Sequence, residues 1–233
     1  MLGLVIYDGP SLLDDSPIVT IAVLRSKNAK TGDMIQTYIL RSDMPPLEAI
    51  RTAADDAICG DCPHRGTSCY VDVGRSVSAV FWAWVRGVYP LMAPHKAARW
   101  ARKRRVRIGT YGDGAATPLW VWQDFLSEAD GHTAYTHQWR KPQFSDLKQY
   151  FMASADTAQD AHDARALGWR SFRVRAAGTP LLSHEFSCPA SDEAGHARQC
   201  ITCMACHGGR VQAASVSIEV HGRGKKHFAI SVA

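Results

Sequence analysis

The chain has 233 residues, 46% of them hydrophobic and 21% charged, with a formal net charge of +5. That composition fits one folded domain, or a domain with a small annex, and excludes whole-chain disorder, collagen-like repeats and coiled coil. No apolar run reaches the ~18–20 residues that span a bilayer, and the N-terminus lacks the basic start of a signal peptide, so the expectation is a soluble intracellular chain with no membrane partner.

The first strand-like runs are Ile18 to Leu24 and Met34 to Leu40, joined by a turn over Ser26 to Gly32. They read as a strand–turn–strand unit. Val77 to Val88 reads as a buried helix, and Pro94 to Arg104 as a second, basic one. Strands and helices then alternate. Strands are expected at Val106–Tyr111, Thr133–Trp139, Tyr150–Ser154 and Ser171–Val174. Helices are expected at Pro118–Ala129, Phe144–Lys148 and Thr157–Leu167, the last closed by Gly168. This order predicts an α/β fold with a mainly parallel sheet of βα units. Residues 1–178 form the α/β domain, carrying a first cysteine loop at 59–69. Residues 179–233 form a cysteine-rich annex, and its tail, Val211 to Ala233, includes an alternating stretch and a Gly-rich segment. About 25 residues need a metal staple to stand as such an annex.

The basicity is local. Between His95 and Arg107 lie seven basic residues (Lys96, Arg99, Arg102, Lys103, Arg104, Arg105, Arg107) and no acid, and the other 20 are outnumbered by 22 acids. The segment is either a phosphate footprint for a nucleic-acid partner or a solvated helix face.

Cysteine placement is the strongest signal. Cys59, Cys62 and Cys69 form C-x2-C-x6-C, and Cys188, Cys200, Cys203 and Cys206 form C-x11-C-x2-C-x2-C. No cysteine lies outside these groups. An odd count in a reducing compartment argues against a disulfide framework. Thiolates so spaced serve Zn²⁺ or an iron–sulfur cluster. The second group is a complete four-thiolate set. The first has three, leaving a position for S-adenosylmethionine (SAM), His64 or a cysteine of the second group.

Polar residues fall at the expected carboxyl ends of strands, where α/β sheets bind ligands. Gly112, Asp113 and Gly114 form a ligand loop or a tight turn. His137 is an acid–base group, an iron ligand or a satisfied strand-end histidine. Asp156 orients a ligand or caps the following helix. His207 ligates metal or flanks it. Trp82, Trp84, Trp100, Trp120 and Trp122 are expected to fill the core, unless one serves base stacking.

The order of these motifs resembles the radical SAM enzymes, over roughly Thr37 to Val174. In that superfamily three cysteines after the first barrel strand hold a [4Fe–4S] cluster, and a glycine- and acid-containing segment ending the second strand contacts SAM. The resemblance puts Cys59, Cys62 and Cys69 at the cluster, followed by the aromatic Tyr70. It puts Gly112, Asp113 and Gly114 at SAM, and it implies a partial TIM barrel. The spacing differs from the usual C-x3-C-x2-C, and YGDGA stands for a GGE-type motif. The chain is also similar to uncharacterised phage and prophage proteins. The matching segments are 28–38, Ile58 to His64, Cys69-Tyr70-Val71, Arg107 to Asp113, Tyr135-Thr136-His137, Ser154-Ala155-Asp156 and the Cys200–Cys206 run. That likeness implies a host-cytoplasm setting and no established activity. The functional expectation is an iron–sulfur protein with one or two [4Fe–4S] clusters, acting as a radical-SAM-like enzyme. The alternatives are a Zn- or cluster-stabilised nucleic-acid-binding module and a redox protein without SAM.

Overall fold

The computed structural model describes residues 2–210 and 212–228. Val211 and 229–233, in the expected tail, lie outside the described residues. The chain forms two compact units. The first takes residues up to 28, 33–60 and 71–132, and the second takes 29–32, 61–70 and the chain from 133 on.

The first unit is built on a five-stranded sheet in the order β1-β2-β3-β4-β5. β1 (Gly3–Pro10), β2 (Pro17–Val23) and β3 (Ile35–Arg41) form an antiparallel meander, and β4 (Arg105–Tyr111) joins β3 in parallel. The expected strand–turn–strand unit is β2 and β3. β1 has no counterpart among the expected elements, because its apolar run ends in the turn-like Asp8-Gly9-Pro10 and its pairing is tertiary. β5 is Gly131–Thr133. The unit's helices are α1 (Pro46–Arg51), α2 (Asp56–Cys59), α3 (Ser78–Val85), α4 (Pro94–Ala101) and α5 (Leu119–Leu126). A π-helical turn, Val73–Val77, precedes α3. α4 begins on Pro94, whose fixed φ suits the first helical position, and α5 follows Pro118 at its N-cap.

The second unit carries an all-parallel sheet in the order β6-β7-β8-β10-β9. Its strands are β6 (Tyr135–Thr136), β7 (Met152–Ala155), β8 (Ser171–Arg175), β9 (Glu185–Ser187) and β10 (Ser215–Glu219). α6 (Ala158–Ala166) makes the β7-to-β8 crossover, with Gly168 just beyond it at φ +79°. Such crossovers favour parallel neighbours. The segment expected as an annex thus supplies β9, the short α7 (Cys200–Cys203) and β10 to this unit. The fold is mixed α/β with a parallel sheet of βα units, and no closed barrel forms among the described residues.

Several expected elements shrink. The run Thr133–Trp139 is not one strand. Ala134 N–H turns to the Cys206 carbonyl (3.1 Å), and Gln138 N–H bonds Thr136 Oγ1 (2.9 Å), starting a 3-10 turn at Gln138–Arg140. Pro142–Gln149 is 3-10 rather than α-helical, and Tyr150 and Phe151 close it instead of opening β7. The tryptophans also divide. Trp122 is fully buried, with its Nε1–H on the Gly114 carbonyl at 2.9 Å, whereas Trp82 and Trp120 are about half exposed. Their helices carry apolar residues on more than one side, and only part of that surface is covered. Among the described residues no helix is long and apolar enough to cross a membrane.

Candidate metal centres

The second cysteine group lies on one face of the parallel sheet. Cys188 follows β9, its N–H bonded to Ser217 O at 2.8 Å, and Cys200 and Cys203 sit one turn apart on α7. α7 is held by the loop 29–32: Cys200 N–H reaches Lys30 O (3.0 Å) and Ile201 N–H reaches Thr31 O (3.1 Å). Gly32 is required there. It sits at φ +70°, and a Cβ would meet Ile201 Cγ2 at 2.6 Å.

Cys188 and Cys206 are buried with Met152, Val216 and Ile218, and Cys200 packs against them. Burial pushes the Cys206 thiol up to about 12, and the nearby Cys188, Cys200 and Cys203 add to the rise. Burial likewise raises Cys188, with Cys200 and Cys203 contributing. Cys206 and Cys188 therefore both lie within electrostatic reach of Cys200 and Cys203. No disulfide joins any of the seven cysteines.

The loop behind Cys206 is fixed from both sides. Buried Arg170 donates to the carbonyls of Ala205 (3.1 Å), His207 (2.9 Å) and Ala214 (2.7 Å). Gly208 then passes so close to the chain at 148–151 that a Cβ would stand 2.3 Å from Lys148 O. Burial lowers the His207 pKa, and its carbonyl serves Arg170.

A second constellation forms in the same unit. β6 and β7 are adjacent and parallel, so His137 and Asp156, which follow their carboxyl ends, emerge on one edge. The loop 61–70 brings His64 to them. His64 Nε2 stands 2.8 Å from Asp156 Oδ1, and His137 Nε2 stands 3.2 Å from Asp156 Oδ2. Ser68 Oγ meets His64 Nδ1 at 2.6 Å, and Phe228 stacks on the ring with centroids 5.7 Å apart.

All three side chains are largely buried. Burial alone would raise Asp156, but bonds to His137 and His64 reverse it and hold the carboxyl well below the usual range. Burial would likewise lower His137. The hydrogen-bonded Cys62 and Asp156 outweigh it and hold the ring well above its ordinary value. A cavity of about 340 Å³ opens on this group, lined by Asp61, Pro63, His137, Arg140, Asp156, Thr157 and Asp160.

The Asp156 carboxylate thus faces two imidazoles and does not cap α6. Thr157 is the cap, in a capping box with Asp160. Of the first cysteine group, Cys62 and Cys69 belong to this unit, and Cys59 closes α2 in the first. Gly112, Asp113 and Gly114 also lie in the first unit. Gly112 needs its φ of +80°, since a Cβ would stand 2.8 Å from Ile39 O. Asp113 is buried and accepts Ala115 N–H at 2.9 Å, capping a 3-10 turn.

In the basic segment, Arg102 pairs with Glu128, Arg104 with Asp33 (3.7 Å) and Arg105 with Asp130 (3.3 Å). Lys96, Arg99 and Lys103 are exposed, the Arg99 guanidinium lying 5.7 Å from the Trp100 ring.

No protein-family model matches the chain, and no curated protein or solved structure is significantly similar to it.

Proposed function

We propose that the protein is an iron–sulfur protein of partial-barrel type, working in a host cytoplasm, with a [4Fe–4S] cluster at Cys188, Cys200, Cys203 and Cys206. A radical-SAM-like centre at Cys59, Cys62 and Cys69 is the enzymatic part of this reading. The observation that carries it is the convergence of the four C-terminal thiols and their spacing.

Arg170 supports the loop that carries Cys206, and its cation offsets the negative charge of thiolates beside it. When bound, the clusters supply one-electron chemistry, reductive cleavage of SAM at the first group initiating hydrogen abstraction from a substrate. Asp113, turned onto Ala115, is the weakest support for a SAM site.

The second reading is a metal-stabilised nucleic-acid-binding module. It is favoured by the exposed Lys96, Arg99 and Lys103 and disfavoured by the acids that already hold Arg102, Arg104 and Arg105. Its mark is salt-dependent binding that weakens when the three exposed cations are neutralised.

Anaerobic purification with iron, sulfide and zinc analysis tests the main reading. Broad visible absorption bleached by dithionite, about four irons per cluster, and their loss in C200S/C203S support it. Reversible reduction without SAM cleavage would leave a redox protein. A colourless chain holding only zinc overturns the iron–sulfur reading.

A further inference from the structure

We propose that His64, His137 and Asp156 bind a single divalent transition-metal ion, open to the adjoining cavity. This site shares no ligand with either cysteine group, although Cys62 hydrogen-bonds His137, and it is independent of what the four C-terminal thiols hold.

Two neutral imidazoles and one carboxylate, with coordination positions left open, are a recurrent donor set for non-haem Fe²⁺ and catalytic Zn²⁺. The donor atoms are gathered closely enough for that role, all within 4.8 Å of one another, with the His64 contact slightly shorter than an ion would set. Ligands about 2.1 Å from an ion at near-octahedral to tetrahedral angles stand about 3.0–3.4 Å apart. Asp156 Oδ1 is 2.8 Å from His64 Nε2, and Oδ2 is 3.2 Å from His137 Nε2. Both rings turn the same nitrogen, Nε2, to the carboxylate. An ion would therefore replace ring protons, and little side-chain movement is needed.

The supporting contacts also fit. Metal-bound histidines usually engage their second nitrogen in an outer hydrogen bond. For His64 that is the 2.6 Å contact of Nδ1 with Ser68 Oγ, while Phe228 fixes the plane of the ring. Asp156 N–H is held by Asp160 Oδ2 at 2.9 Å, so the backbone that presents the carboxylate is set by the start of α6. The cavity reaches His137 and Asp156, giving the ion room for water or a small ligand. Cys62 hydrogen-bonds His137, so the first cysteine group borders this site.

Mn²⁺ is the probe of choice, because it favours nitrogen and oxygen donors over thiolates. Titrating Mn²⁺ into the anaerobically purified full chain, followed by the spin-resonance signal of unbound Mn²⁺, should give one saturable site. H64Q, H137Q and D156N should each weaken it more than tenfold. S68A keeps every ligand and should weaken it by about tenfold, the usual effect of losing an outer partner. C200S/C203S should leave Mn²⁺ binding unchanged while altering iron content, so this site and the iron–sulfur reading fail separately. Far-UV circular dichroism confirms that each variant is folded. Absence of a saturable site, or Mn²⁺ affinity unchanged in S68A and D156N alike, overturns the assignment.

Discussion

The guanidinium of Arg170 stands 2.9 Å from the carbonyl of His207. It reaches Ala205 and Ala214 as well, so one buried cation holds three carbonyls of the chain behind Cys206. A hydrogen bond to a charged group contributes about 1.5–3 kcal/mol net. R170A should therefore lower the unfolding free energy by about 3 kcal/mol or more and reduce metal content in parallel. Urea unfolding together with iron and zinc analysis checks both. R170K, which cannot fork to three carbonyls, should recover only part of either.

Gly208 should tolerate no side chain. A Cβ there would meet Lys148 O at 2.3 Å and both Phe151 N and O at 2.7 Å, all backbone atoms that cannot swing aside. G208A is expected to cost about 3 kcal/mol, the upper end for overpacking. G74A is the control, because its nearest contact is an ordinary 3.6 Å. Thermal unfolding should separate the two by several degrees.

Arg173 and Glu185 tie β8 to β9 by a forked pair, Nε to Oε1 at 2.7 Å and Nη2 to Oε2 at 2.6 Å, with both side chains buried. Burial would raise Glu185, and the Arg173 bonds and Leu182 N–H reverse this and lower it. A carboxyl with a depressed folded pKa contributes stability that is present above its unfolded value, about 4.3, and lost as pH falls through the folded value. Stability should thus hold from neutrality to about pH 4.5 and drop below it. E185Q should flatten that drop, and E185A should cost about 3–5 kcal/mol at neutral pH by stranding the arginine. Denaturant unfolding across pH measures both.

Thr157 accepts Asp160 N–H at 3.0 Å, and Asp160 Oδ2 accepts Thr157 N–H at 3.0 Å. T157A should cost about 1 kcal/mol, as for loss of an N-cap. Because the same box positions Asp156, T157A should also weaken Mn²⁺ binding modestly. Unchanged affinity would show that the carboxylate is held without α6.

Much of the second site was legible. His137 and Asp156 stand where polar residues follow adjacent parallel strands, and βα alternation alone puts such residues on one edge. His64 carries no periodic signal that it meets Asp156 across 92 positions, and Ser68 carries none at all. The choice of cap was also undecidable in sequence. Asp156 and Thr157 are both good N-cap formers, and only the direction of the Asp156 carboxylate excludes it. The cysteine spacing marked the C-terminal thiols as one set. It gave no sign of the supports around them, because Arg170 and the 29–32 loop act through backbone carbonyls.

The parallel insertion of β10 between β8 and β9 sets an order on events during synthesis. The cysteine-bearing crossover from Cys188 to Cys206 joins β9, at the sheet's edge, to β10, which also pairs with β8, and β10 follows every other strand of this sheet in the chain. Until it docks, β9 has no partner, and Val216 and Ile218 are missing from the floor beneath the thiols. Such non-local parallel pairing is slow to form. The four-thiol pocket is therefore completed only once β10 has docked, after every other strand of this sheet has been made.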